Sequence, residues 1–191
     1  MAHEEKKEIK LGQLINFFPA PVVLVGSRDS KGRDNVMTAA WFGVACSVPP
    51  ILSVAIRPQR LSDENIKEAE CFTINIPDEK FLEKTDLIGT ISGKEKDKFK
   101  ELKLEFEDAK TIDAPLLKDC PVNYECSLKQ MIPLGTHDLF LGEVKRAVAN
   151  PSLLKGAKPD FSSFKALALF GSDYYGVGKK LGTYGFSRVK K

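Results

Sequence analysis

The sequence predicts an antiparallel, mainly β fold: a β-barrel or sandwich with helical excursions. Three observations carry this. Short runs rich in Val, Ile, Phe and Thr are separated by Gly- and Pro-containing turns along most of the chain. There is no regular strand–helix–strand alternation, which argues against a parallel sheet. The G-x-G at Gly176 and Gly178 lacks the rest of a dinucleotide fingerprint and follows no convincing strand. At 191 residues the chain has the length of one domain, 1–191, with a single sizeable core.

The elements follow in order. Apolar positions 11, 14, 15 and 18 have the spacing of a short amphipathic helix over 9–17, ended by Pro19 and Pro21. Residues 22–27 are apolar and β-branched, a strand. Asp29-Ser30-Lys31-Gly32 reads as a turn with glycine at positive φ. Residues 35–47 then form a second strand, hairpinned to the first and broken by Pro49-Pro50, and 51–56 a third. Ser62 is read as the N-cap of a short helix, with Asp63 and Glu64 in its first turn. A strand is expected at 71–76, a helix at 81–88 and a charged loop at 90–100. Two longer strands, 122–129 and 137–148, flank the Pro-Gly connection MIPLGT. The tail after Pro151 is mixed, rich in Gly and Tyr.

Composition excludes several classes. Hydrophobic residues are 42% and charged residues 29%, an ordinary soluble balance. Twenty-nine Lys and Arg against 26 Asp and Glu leave +3, with the signs interleaved, so neither nucleic acid nor an anionic membrane is expected as partner. The first ten residues, MAHEEKKEIK, lack the apolar core of a signal peptide. No apolar run approaches the roughly 20 residues of a bilayer span. A cytoplasmic location is expected, with Cys46, Cys71, Cys120 and Cys126 as thiols in the absence of any C-x-x-C.

The candidate chemistry is sparse. P-loop, G-x-S-x-G and H-E-x-x-H motifs are missing, and two histidines, His3 and His137, exclude a multi-histidine metal site. An enzyme of this composition relies on a cofactor. Arg57-Pro58-Gln59-Arg60-Leu61-Ser62 runs from a strand into a helix; it is either a phosphate site, with guanidinium forks beside a helix N-terminus, or an ordinary capped helix with solvated arginines. Asp63 and Glu64 count against phosphate. Lys94, Lys96, Lys98 and Lys100 alternate with acids, the pattern of a solvated loop. Cys120 and Cys126 would share a buried face with Val122 and Tyr124 on one continuous strand. His137 is a polar contact near a substrate or a turn residue. Tyr174 and Tyr175 line a pocket, meet another subunit or cover the core.

One stretch resists a purely structural reading. NVMTAAWFGVACSVPP, residues 35–50, sets polar residues and paired alanines against the single tryptophan, Trp41. In its setting, PAPVVLVGSRDSKGRDNVMTAAWFGVACSVPPILSVAIRPQRLSDENI, it resembles the opening half of the flavin reductase-like, FMN-binding split-barrel family. CFTINIP, SGKEKDKF and YECSLKQMIPLGTHDLFLGEV follow in the family's order, so the match covers most of the chain, from about Pro19 to Val148. Within the family the similarity is greatest to the flavoredoxins, whose tails YYGVGKKLG also resembles.

The resemblance implies a dimeric FMN-binding split β-barrel and an FMN-dependent oxidoreductase. It implies that Ala39 and Ala40 let a flat isoalloxazine approach the strand. Asn35, Met37 and Thr38 would hold its polar edge and ribityl chain, and Ser47 would offer a hydroxyl. Trp41 flanks the ring or, by preference, packs in the core. The loop from Arg57 to Asn65 would hold the FMN phosphate through Arg60, Ser62 and Asn65. Ser92 and Lys98, in a loop with Gly93 and Phe99, would add cofactor contacts. Many relatives carry Thr where this chain has Ser62, and NAD(P)H-using members often carry G-D-H where it has Gly135-Thr136-His137. Two functions follow: an electron carrier serving a redox-protein partner such as a ferredoxin, or an NAD(P)H:FMN oxidoreductase releasing reduced flavin. His137 would orient a nicotinamide or sit beside the ring. A third reading, thiol redox chemistry at Cys120 and Cys126, stands apart from flavin. One compact domain leaves no obvious adenosine site.

Overall fold

The structure is a computed structural model and describes residues 3–10, 12 and 18–188. The helix expected at 9–17 falls almost wholly outside them. The chain opens with β1 (Ala20–Pro21), β2 (Val23–Arg28), β3 (Asp34–Ala39), β4 (Phe42–Cys46) and β5 (Ile51–Ile56). Then come α1 (Leu61–Ala69), β6 (Cys71–Ile76), α2 (Leu82–Thr90), the one-turn α3 (Lys98–Glu101), β7 (Phe106–Asp108) and β8 (Pro115–Leu117). The long strands β9 (Val122–Pro133) and β10 (Asp138–Ala149) follow, then β11 (Leu154–Lys155), β12 (Lys158–Pro159), β13 (Leu167–Phe170) and β14 (Asp173–Gly176). Among the described residues no helix is long and apolar enough to cross a membrane.

Seven strands form one antiparallel sheet in the order β3-β2-β6-β9-β10-β5-β4. The expected β2–β3 hairpin is present. Its turn is held by Asp29, whose side chain accepts from the backbone N–H of Lys31 and of Arg33, both at 2.9 Å, and Gly32 has φ +76°.

The single strand expected over 35–47 is two strands. Ala40 and Trp41 break it, so that β3 pairs with β2 and β4 pairs with β5. These are opposite edges of the sheet. The bend carries the chain from one edge to the other and closes the barrel, and the Trp41 carbonyl accepts from Ala55 N–H at 2.9 Å there. Small side chains at 39 and 40 let the backbone turn. Trp41 is half-buried against Phe18, ring centroids 6.2 Å apart.

The barrel interior is filled by Val23, Val25, Leu52, Val54, Phe72, Ile74 and Phe140, with Ile66 of α1 plugging one end. Leu24 and Val36 face the other way, under Phe81, Ile88 and Phe99 from the helical segments. The strand β2 is thus buried on both faces and reads as a continuous apolar run. Cys126 belongs to the interior cluster and Cys120 to the outer one. The two do not share a face as expected, because β9 begins only at Val122, after the turn at Cys120 and Pro121. All four cysteines are free thiols.

Candidate functional site

The polar residues of β3 have partners at the end of the barrel. Ser27 and Asn35 are cross-strand neighbours on the interior face, beyond the apolar run. There α1 meets them with two polar side chains of its own. Asn35 Nδ2 donates to Ser62 Oγ at 2.8 Å, and Asn65 Nδ2 to Ser27 Oγ at 3.3 Å. All four residues are buried. Ser62 is therefore not the N-cap. Arg60 holds that position without a side-chain cap bond, and the Ser62 hydroxyl is taken by a buried amide that needs an acceptor.

Because β3 ends the strand order, its outer backbone edge has no sheet partner. A groove runs along this edge as two adjoining hollows that share Met37, Thr38 and Arg60. The first, about 60 Å³, lies between β3, the start of α1 and the loop after α2; Asn35, Met37, Thr38, Arg60, Ser62, Ser92 and Lys98 line it. The second, about 130 Å³, is lined by Ala39, Ala40, Trp41, Arg57 and His137.

Two expected residues lie elsewhere. Ser47 is exposed on the turn after β4, about 20 Å from Trp41 at roughly 3.3 Å per strand residue. Asn65 is spent on Ser27 and anchors α1 instead of facing the groove. Tyr174 and Tyr175 lie on β14, away from it.

Lys98 is 5% exposed, and its Nζ donates to the carbonyls of Val36 at 2.8 Å and Ile88 at 2.7 Å. That leaves one of three donors for the groove. Burial, and then the charge of Arg60, push its pKa down to about 8. Arg57 and Arg60 are exposed, and neither forms an ion pair among the described residues. The first hollow thus gathers Arg60, Lys98 and a helix N-terminus with no carboxylate between them, a field that favours an anion.

The acids that argued against this are turned away. Glu64 pairs with Lys94. Asp63 Oδ2 accepts from Lys67 at 2.7 Å, and Lys67 also donates to Asp138 at 2.6 Å. Burial raises the Asp63 pKa, its Oδ1 having no partner, while its two carboxylate partners raise Lys67. Burial and the Arg57 charge lower His137, favouring neutral imidazole; its Nδ1 lies 3.0 Å from Thr136 Oγ1.

Thr38 Oγ1 donates to the Thr85 carbonyl at 2.5 Å, tying β3 to α2. Gly93 presses on β3 so closely that a Cβ there would lie 2.2 Å from Asn35 Oδ1. Gly89 and Ile91 also line the first hollow and escape sequence reasoning. Only their closeness to the S-G…D-K-F loop could have pointed to them. The Asp63–Lys67–Asp138 cluster was legible in part, from the i, i+4 spacing of its first two members.

The thiols have no such setting. Burial raises the Cys120 thiol strongly and pushes Cys126 up to about 12, and they lie in different apolar clusters. Neither is a ready nucleophile or redox partner for the other.

Residues 15–178 match the Flavin reductase like domain family. Among solved structures, flavoredoxin of Desulfovibrio vulgaris (Miyazaki F) is 32% identical with a TM-score of 0.86, over 95% of this chain and 98% of that one. Flavoredoxin from Methanosarcina acetivorans is 29% identical, also at 0.86, over 95% and 97% of the two chains. A high molecular weight rubredoxin of Moorella thermoacetica is 34% identical over 126 residues, 65% of this chain and 52% of that protein, so the alignment spans about half its length. The motifs read in order along β2 to β10, the barrel that they build and the family match over most of the chain agree: the chain belongs to the flavin reductase-like domain family and has its split-barrel fold.

Proposed function

We propose that this protein is a homodimeric, FMN-binding electron carrier, one domain over 1–191, working in the cytoplasm. One observation carries the proposal. A single groove along the free edge of β3 runs from an uncompensated pair of cations, Arg60 and Lys98, to a floor of small side chains at Ala39 and Ala40 beside His137. From Asn35 to Ala40 this is about 17 Å of extended chain. That length accommodates a phosphate, a polyol and a fused ring in line, so the residues present fit FMN.

In this reading Arg60, Ser62, the first turn of α1 and the remaining Lys98 donor hold the phosphate. Met37 and Thr38 border the polyol, and Ser92 faces it from the opposite wall. Ala39 and Ala40 admit the ring, and Trp41 stays packed on Phe18. Bound flavin supplies the hydride and one-electron chemistry. The chain's part is to position it, keep one face dry and place neutral His137 at its edge.

The groove is open on one side. Exposed apolar residues such as Val44, Val48, Leu181 and Phe186 suit burial against a second copy, which would also close the groove. A Ser47 contact to flavin would then come from that second copy. The similarity to a protein named as a rubredoxin supports a redox protein as electron partner.

The openness of the groove also favours a second reading, an NAD(P)H:FMN oxidoreductase from which reduced flavin leaves as product. Here Arg57 and His137 would receive the pyridine nucleotide. A visible spectrum of the protein after addition of FMN and removal of free flavin tests the shared premise. Retained flavin bands are expected, and a protein that binds no FMN even at excess overturns both readings. Anaerobic titration with NADH and NADPH separates them: no bleaching is expected of the carrier, rapid bleaching of the reductase.

A further inference from the structure

Behind the ring end of the groove lies a charged cluster that the reading above does not use. Asp63 of α1 and Asp138 of β10 are 2% and 6% exposed, and Lys67 donates to both. Two carboxylates against one ammonium leave a single negative charge when all three are ionised. Asp63 Oδ1 is the one buried side-chain oxygen or nitrogen without a hydrogen-bond partner among the described residues. An ionised oxygen in that position forgoes its solvation, and a proton on the carboxyl removes most of the cost.

The cluster is one layer behind the groove wall. Asp138 follows His137 in the chain and pairs across the sheet with Ile56, and both His137 and Ile56 line the second hollow. Directly paired residues face the same side of a sheet, with Cβ atoms about 5 Å apart. Buried Ile56 is therefore the layer shared by the Asp138 carboxylate and the hollow. Asp63 follows Ser62, which lines the first hollow. Other charged groups on α1 and the elements against it are engaged elsewhere. Arg28 of β2 pairs with Asp34 of β3, and Glu64 of α1 with Lys94. Glu68 and Glu70 are exposed, and the Cys71 thiol of β6 lies against the Asp113 carbonyl. Arg57, Arg60 and His137 line the groove itself.

We infer that Asp63 is a proton acceptor coupled to the charge of the flavin: it takes up a proton when bound flavin is reduced and returns it on reoxidation. The inference rests on the flavin-binding reading above. Two electrons from the redox-protein partner and one proton convert the flavin to its anionic reduced form, and a second proton passes from water to the Asp63 carboxylate. At a separation on the order of 10 Å and an effective dielectric constant of about 20, one negative charge on the ring raises the proton affinity of the cluster about tenfold. Burial already holds Asp63 above the ordinary 3.8, so it takes its proton before a solvated carboxylate does. Lys67, with its side chain 37% exposed, links the buried carboxylates to water.

Spectroelectrochemical titration of the FMN-loaded full chain between pH 4.5 and pH 8, for the parent and Asp63→Asn, tests it. At the middle of the Asp63 titration the parent is expected to take up about half a proton more per two electrons than the variant, the most that a tenfold change in affinity gives. At pH 8 the variant, which lacks the carboxylate charge, should be reduced about tenfold more readily, ~30 mV for two electrons. The two potentials should converge on acidification, which a merely structural role for Asp63 does not produce. Redox difference infrared spectra of the unaltered protein should gain a protonated carboxyl band on reduction, and they decide the matter if the variant fails to fold. Parallel potential lines, or a carboxyl region that reduction leaves unchanged, overturn the inference while leaving FMN binding standing. A protein that binds no FMN overturns the flavin reading and this inference with it.

Discussion

Asn35 of edge strand β3 donates its side-chain N–H to the hydroxyl of Ser62 in the first turn of α1, at 2.8 Å and out of contact with water. This bond sets the separation of strand and helix at the smaller of the two hollows. Asn35→Ala removes the donor and leaves the buried hydroxyl without it. Stability is expected to fall by about 1–3 kcal/mol in chemical denaturation. FMN affinity should fall too. A variant with unchanged unfolding midpoint would show that the bond does not hold the two elements.

Arg60 lies in the cation-lined hollow without a carboxylate partner among the described residues. Arg60→Ala should reduce FMN affinity by about 10- to 100-fold, the worth of a charge-assisted hydrogen bond. Riboflavin, which lacks the phosphate, should bind the variant and the parent alike. Equal losses for both flavins would place Arg60 against the ring instead.

Lys98 links pH to both stability and binding. Its folded pKa of about 8 lies below the ordinary 10.5, so between these values the unfolded chain holds more protons than the folded one. Its contribution therefore destabilises most below pH 8, and that penalty is relieved as pH rises from 8 to 10.5. FMN affinity should move the opposite way, falling above pH 8 as the ammonium is lost. Stability and FMN titrations of the parent and Lys98→Met across pH 7–10.5 check this. A parent and variant with parallel pH profiles would contradict it.

Lys67 neutralises two buried carboxylates, Asp63 and Asp138, and so joins α1 to the start of β10 beside His137. Lys67→Met should cost about 2 kcal/mol at pH 7. This is less than the ~3–5 kcal/mol of a fully buried pair, because the lysine side chain is 37% exposed. The loss should shrink on acidification, as Asp63, already raised by its burial, takes up a proton. Urea unfolding at pH 7 and pH 4.5 measures both terms, and a larger loss at the lower pH would exclude this account.

Local signals were enough for β2, the turn at Gly32, β5 and β6, whose apolar runs and breakers lie within a few residues of each other. They could not reveal the bend at Ala40 and Trp41. That break depends on β4 pairing with β5 and β3 with β2, which no window over 35–47 contains. The same limit applies at Ser62. Its spacing from Asp63 and Glu64 reads as a helix start, but its hydroxyl belongs to an amide 27 positions earlier. Most of the groove was legible through the resemblance, since NVMTAAW supplies edge strand β3 and the bend that follows it. Ser47 and Asn65 were not placed, because strand geometry and a competing partner at Ser27 decide where they lie.

The bend at Ala40 and Trp41 makes the seam of the barrel and the floor of the groove the same piece of backbone. Opening the barrel there dismantles the binding surface, and a ligand in the groove opposes the opening. Ligand occupancy and local unfolding of the seam are thermodynamically linked, by about RT ln(1 + [L]/Kd) for a ligand that binds only the closed form. The empty protein exposes its two sheet edges more often than the loaded one. Cofactor supply would thereby govern how long each copy escapes proteolysis and edge-to-edge association, independently of any electron that it carries.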